Sequence, residues 1–138
     1  MTLSELEQQK EGILKKIEGL GDMRSGSISV RFQKCGKLRC ICHGPGHVGH
    51  GPIYSYSTLV AGKTQIRNYK PGPELEKLSK ETENYQAFKE LSQKLIETSN
   101  KICALRPVPA LENPELEELK KNLQRHFMKK YKKRLTGS

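Results

Sequence analysis

Residues Cys35-Gly36-Lys37-Leu38-Arg39-Cys40-Ile41-Cys42-His43-Gly44-Pro45-Gly46-His47-Val48-Gly49-His50 hold three of the chain's four cysteines and three of its four histidines. Thiolates and imidazoles at short spacings, joined by glycine-rich turns, are what a tetrahedral zinc site requires. Disulfides suit the segment less well. A Cys-x-Cys pair is too close for unstrained bridge geometry, and three local cysteines leave one unpaired. The start of the chain, Met1-Thr2-Leu3-Ser4-Glu5-Leu6-Glu7-Gln8, is polar and acidic rather than basic and then apolar. A reducing, cytoplasmic setting is therefore expected, where clustered cysteines more often hold metal. Redox chemistry and an iron–sulfur cluster are the competing uses. A cluster normally wants a fourth thiolate, and only Cys103 remains to give one. We expect Zn2+ on Cys35, Cys40 and Cys42 with one histidine.

His43 adjoins Cys42, which makes it awkward for both to bind one ion. His47 and His50 share a flexible Gly-Pro loop and both can reach. His50 precedes Gly51-Pro52 and the next apolar run, so a strand start anchors it, and it is favoured over His47. Four protein ligands close such a site and make it structural rather than catalytic.

Charge is the second constraint. The net charge of +10 is concentrated in two blocks. Residues 24–73 carry Arg24, Arg31, Lys34, Lys37, Arg39, Lys63, Arg67 and Lys70 without one Asp or Glu. Residues 120–138 carry Lys120, Lys121, Arg125, Lys129, Lys130, Lys132, Lys133 and Arg134, again with no acid. Between them, residues 107–119 carry only acids. Scattered lysines merely solvate a surface, but two acid-free blocks are the footprint of a phosphate-binding one. A membrane surface is disfavoured because the basic tail lacks a broad apolar face with Trp or Phe. No run approaches the roughly 20 apolar residues of a membrane helix.

The apolar fraction is 34% and there is no Trp, a poor supply for one large core. Metal ligation can replace missing burial in such a chain. The expected fold class is α+β: a small three-stranded antiparallel sheet with an inserted zinc loop. An N-terminal helix, a long central helix and a basic C-terminal helix flank it. The organisation read from the sequence is an N-terminal helix over 1–22, a zinc-stapled β module over 23–72, a long helix over 73–106, and a proline linker with basic helix over 107–138.

Thr2 or Ser4 can cap the first helix, with Leu3, Leu6, Ile13, Ile17 and Leu20 as its apolar stripe and Gly19 and Gly21 at its end. Ser27–Gln33 alternates as a strand, with Ile28, Val30 and Phe32 inward and Ser29, Arg31 and Gln33 outward. Residues 52–60 and 64–69 form the other strands around an Ala61-Gly62-Lys63 turn. Pro73 opens a helix running to Leu105, with Leu75, Leu78, Tyr85, Phe88, Leu91, Leu95, Ile102 and Leu105 along one face. Such a helix outruns a small sheet, so part of it is expected to pair with the first helix or with a second copy. Cys103 is expected to be a buried small apolar residue. Asn113 is expected to cap the last helix, with Pro114 in its first turn. Leu116, Leu119, Leu123, Phe127 and Tyr131 take one face of that helix and the basic block the other.

Arg24 to Lys37, then Cys40-x-Cys42, His50-Gly51-Pro52-x-Tyr54 and Gly62-Lys63-Thr64, resemble a family of small uncharacterised prokaryotic proteins often encoded near transposases. The likeness spans roughly residues 23–105. It matches Cys35, Cys40, Cys42 and His50, in support of His50, and leaves out His43 and His47. No activity comes with it. What it implies is a link to a mobile element.

Three functions are compatible with these features. The first is a zinc-stabilised nucleic-acid-binding accessory or regulatory protein, with DNA favoured over RNA through the mobile-element link. Its contacts would come from the two basic blocks. Arg31 and Arg67 head them because no acid nearby would pair them, and Tyr54 and Tyr56 are candidates either for base stacking or for packing under the long helix. The second is a coiled-coil adaptor that tethers a transposase, recombinase or nuclease, with a homodimer through the long helix as one form. The third, an enzyme, is disfavoured. The basic core has no carboxylate, and no base or orienting group accompanies Ser25, Ser27, Ser29 or Tyr54.

Overall fold

A computed structural model describes residues 1–137, as two compact units over residues 1–105 and 106–137. The first unit comprises α1 (Leu3–Glu18), β1 (Ser27–Gln33), a 3-10 turn (Ile41–His43), β2 (His50–Val60), β3 (Lys63–Tyr69) and α2 (Pro73–Leu105). The expected α+β class and strand arrangement are observed.

Thr2 caps α1 in a reciprocal capping box with Glu5, satisfying two backbone donors that the first turn leaves without partners. Gly19 closes the helix in an ordinary right-handed conformation (φ −79°) rather than the left-handed one that end-glycines often supply. The α1 helix packs along α2. The pair runs antiparallel, since Met1 and Leu6 share a hollow with Lys101, Ala104 and Leu105 while Asn84 Nδ2 donates to the Asp22 carbonyl at 2.8 Å. Leu6 and Ile13 are buried on α1, Thr98 and Ile102 on α2. The long helix thus finds its partner within the chain.

The sheet takes the order β1-β2-β3, antiparallel throughout. Pairings Ile28 with Tyr56 and Val30 with Tyr54 put these four side chains on one face. Ile28, Val30 and Tyr54 meet Leu75, Ser79 and Thr82 of α2 around an open cleft of about 500 Å³. Coverage is partial: Ile28 is half-buried, but Val30 stays 57% exposed and Phe32 47%. The inward face expected of β1 exists, but α2 covers only its beginning. Tyr56 is buried and its hydroxyl donates to the Ser25 carbonyl, so packing, not display, accounts for this ring.

Along α2, Leu78 is buried, and Leu75, Tyr85, Phe88, Leu91 and Leu95 are half-buried. Leu105 lies at the exposed end. Two departures stand out. Cys103, expected inside, is exposed, because it lies one residue beyond buried Ile102 and so turns about 100° off the contact face. Glu81, a carboxylate, is buried in the same face. It receives Lys77 at 2.6 Å and Arg24 at 3.3 Å, while its backbone carbonyl accepts the Arg24 amide. This clamp ties the segment between α1 and β1 to α2.

In the second unit, α3 (Glu115–Thr136) is fully helical and buries no residue. Asn113 does not cap it. Pro114 occupies the capping position and offers no side-chain bond, and the first-turn amides of Leu116 and Glu118 instead find the carbonyls of Glu112 and Pro114.

Candidate metal centre

The loop between β1 and β2 folds back through successive tight turns. The Cys40 amide donates to the Lys37 carbonyl, His43 to Cys40, Gly44 to Ile41 and His47 to Gly44. The return rests on Gly49, whose φ is +108° and whose α-carbon faces the backbone of Gln33 and Lys34. An added Cβ would lie 2.7 Å from the Gln33 carbonyl carbon. Only glycine permits that approach. Register then shifts: Arg31 pairs with Ile53 but Gln33 pairs with His50, leaving an extra residue on β2. The bulge is where Pro52 sits, at a position that tolerates a missing amide donor. It delivers His50 at the first position of β2.

These turns gather Cys35, Cys40, Cys42 and His50, with all four ligand atoms within 4.8 Å of one another. The Sγ atoms of Cys35 and Cys42 are 3.6 Å apart, and Cys40 Sγ is 3.3 Å from His50 Nε2. Zn–S bonds of about 2.3 Å and Zn–N bonds of about 2.0 Å in a tetrahedron imply edges of about 3.5–3.8 Å. The two short edges already fit, and the longest contracts by about 1 Å on closing round an ion. Cys42 is fully buried, Cys35 and Cys40 are half-buried, and His50 is exposed.

Electrostatics divide the thiols. The Cys40 thiol is drawn down to about 6, first by the Cys42 backbone N–H, then by the Cys42 thiol and the His50 ring. Burial pushes the Cys42 thiol up, against the Cys35 amide that donates to its sulfur at 3.4 Å. A divalent cation favours the thiolate form of all three.

The remaining histidines have other tasks. His43 Nε2 donates to the Cys35 carbonyl at 2.7 Å, bracing one ligand residue from behind. His47 Nδ1 accepts the Gly49 amide at 3.0 Å, fixing the turn before His50. The expectation of His50 as the fourth ligand matches the geometry. The bracing role of His43 has no signature in the sequence, where its place beside Cys42 bears only on ligation.

Of the basic residues singled out, Arg31, Lys34, Lys37 and Arg39 are exposed on and around this loop, and Lys63 and Lys70 flank β3. Arg24 is engaged by Glu81. Arg67 lies 3.9 Å from Glu74 and over the Tyr69 ring at 4.9 Å, which corrects the expectation that nothing acidic would approach it. Arg31 pairs with Ile53 and Arg67 with Tyr56, so the two arginines occupy opposite faces of the sheet and cannot form one contact patch. Arg125, Lys129, Lys130, Lys132, Lys133 and Arg134 are exposed on α3.

Fold and site together define a small α+β protein in which a Cys3His cluster, able to hold a metal ion, joins two strands of a three-stranded sheet. Residues 3–80, more than half of the chain, match the family described as a domain of unknown function (DUF6788), and the chain belongs to that family. The match takes in α1, the whole sheet and metal loop, and the first turns of α2. Comparison with curated proteins and with solved structures gave no match.

Proposed function

We propose that this chain is a zinc-stabilised nucleic-acid-binding protein, accessory or regulatory rather than catalytic. Zinc is the ion that suits three thiolates and one imidazole at these separations. An iron–sulfur cluster is disfavoured because Cys103 is no member of the group. With four protein ligands no position is left for water or substrate, so the ion's task is to hold the loop.

The observation that carries the reading is the acid-free run of residues 24–73, with Arg31, Lys34, Lys37 and Arg39 exposed around the Cys3His centre. Three thiolates and one divalent ion leave about one negative charge on the centre. The neighbouring cations outnumber it, and their surplus faces solvent. Phosphates neutralised there would release counterions. DNA is placed before RNA on the mobile-element link alone.

Fluorescence anisotropy of the zinc-loaded chain against labelled duplex DNA, single-stranded DNA and RNA at rising salt tests this. The logarithm of the affinity should fall linearly with log salt, by about 0.9 per neutralised phosphate on duplex DNA. Replacing Arg31, Lys34, Lys37 and Arg39 together by Ala should flatten that slope by about 3 or more while zinc content is kept. No binding to any of the three at low salt, or affinity indifferent to salt, contradicts the proposal.

A further inference from the structure

The α3 helix carries a feature that nucleic-acid binding leaves unexplained. Leu119, Leu123, Phe127, Tyr131 and Leu135 recur every fourth residue as one ridge, and Phe127 is 61% exposed, Leu135 68%. Most helical stability in proteins comes from packing an apolar side, and α3 buries no residue. The charges along it are sorted by end. Glu112, Glu115, Glu117 and Glu118 precede every cation, and from Lys120 to Arg134 there is no acid. Complementing the helix's own dipole would need charge only in its first and last turns, and the cations extend far beyond the last.

We infer that α3 is a self-association helix, whose apolar ridge pairs antiparallel with α3 of a second copy of this chain. Antiparallel pairing sets the acidic end of each helix beside the basic end of the other. Parallel pairing sets like against like at both ends. Within the helix Glu117 already takes Lys120 at 3.2 Å, and Glu115, four residues before Leu119 and so on the same ridge line, is the acid placed to meet the partner. Arg125, Lys129 and Lys132 project away from the ridge by the 100° helical step, so the pair leaves them on its outer surface.

The test is sedimentation velocity on the full zinc-loaded chain, stripped of nucleic acid, from low concentration to about 300 µM. A dimer is expected that weakens as salt rises, because its end-to-end charge pairs are attractive. Phe127→Glu should weaken dimerisation by about tenfold or more, and separately Glu115→Lys by several-fold, while zinc content stays unchanged. In a Cys103→Ser background, a mixture of Leu119→Cys and Tyr131→Cys chains should form the mixed disulfide on mild oxidation in preference to either homodisulfide. A monomer throughout, a dimer that salt strengthens, or preferential homodisulfides overturns the inference.

Discussion

At the residue scale, three histidines fifteen residues or fewer from Cys35 have three different duties, each fixed by what its ring nitrogen meets. His50 faces Cys40 Sγ, His43 the Cys35 carbonyl and His47 the Gly49 amide. Competition with a chromophoric chelator should rank them. His50→Ala should lose more than about 100-fold in zinc affinity, since it removes a ligand, while His43→Ala should lose about 10- to 100-fold, as bracing partners do. His47→Ala should stay close to the parent. Glu81 has a pH signature. The Lys77 ammonium first, and the Arg24 guanidinium after it, hold its carboxyl below the ordinary carboxylate value against the opposing effect of burial. A depressed folded-state value means stability present above the unfolded carboxylate's range, about 4.3, and lost as pH falls through the lowered value. Thermal unfolding of Glu81→Gln should therefore show a lower Tm than the parent at pH 7, and the gap should narrow on acidification below about pH 4. A gap unchanged by acid would contradict the clamp.

At the element scale, the β2–β3 hairpin turns through Ala61 and Gly62, both at positive φ (51° and 78°). Such a two-residue turn suits the twist of the flanking strands, and Ala is a poor occupant of its first place. Ala61→Asn should stabilise the chain by about 0.5–1 kcal/mol, read from the denaturation midpoint, because Asn-Gly is the preferred pair there. A loss of stability would mean that the turn is not what limits the hairpin. The elements themselves were legible in the chain. Alternation gave β1 its observed bounds, and Pro73 and the apolar spacing gave α2. The Cys-x4-Cys-x-Cys…His spacing gave the four ligand positions. What was not legible depends on how far one element reaches over another. Nothing local tells that α2 leaves Val30 and Phe32 exposed, that Cys103 faces outward, or that Glu81 turns inward to meet a base from a distant linker. Arg31 and Arg67 look alike in the sequence, and only strand register sends them to opposite faces. The bulge at Gly51-Pro52 lies beyond the Arg31–Ile53 pair and sets Gln33 against His50, which a strict alternation count does not contain.

At the scale of the whole molecule, apolar burial is thin. Leu6, Ile13, Cys42, Tyr56, Leu78 and Ile102 are the buried apolar side chains among the described residues. Leu6, Ile13 and Ile102 belong to the α1–α2 pair, which leaves the sheet, its loop and the start of α2 with Tyr56, Cys42 and Leu78. In the proposed reading, a module with so little of its own core relies on a bound metal for its fold. The basic run of residues 24–73 sharpens that dependence, because like charges oppose compaction wherever ligation does not hold them. The central claim is thus that one zinc ion on Cys35, Cys40, Cys42 and His50 organises the β module. Native mass spectrometry of the purified chain beside Cys40→Ser tests it most directly. One zinc ion per parent chain, absent from or much reduced in the variant, is the result expected. A parent chain that is metal-free yet keeps its sheet, or one that carries iron and sulfide instead, would contradict it.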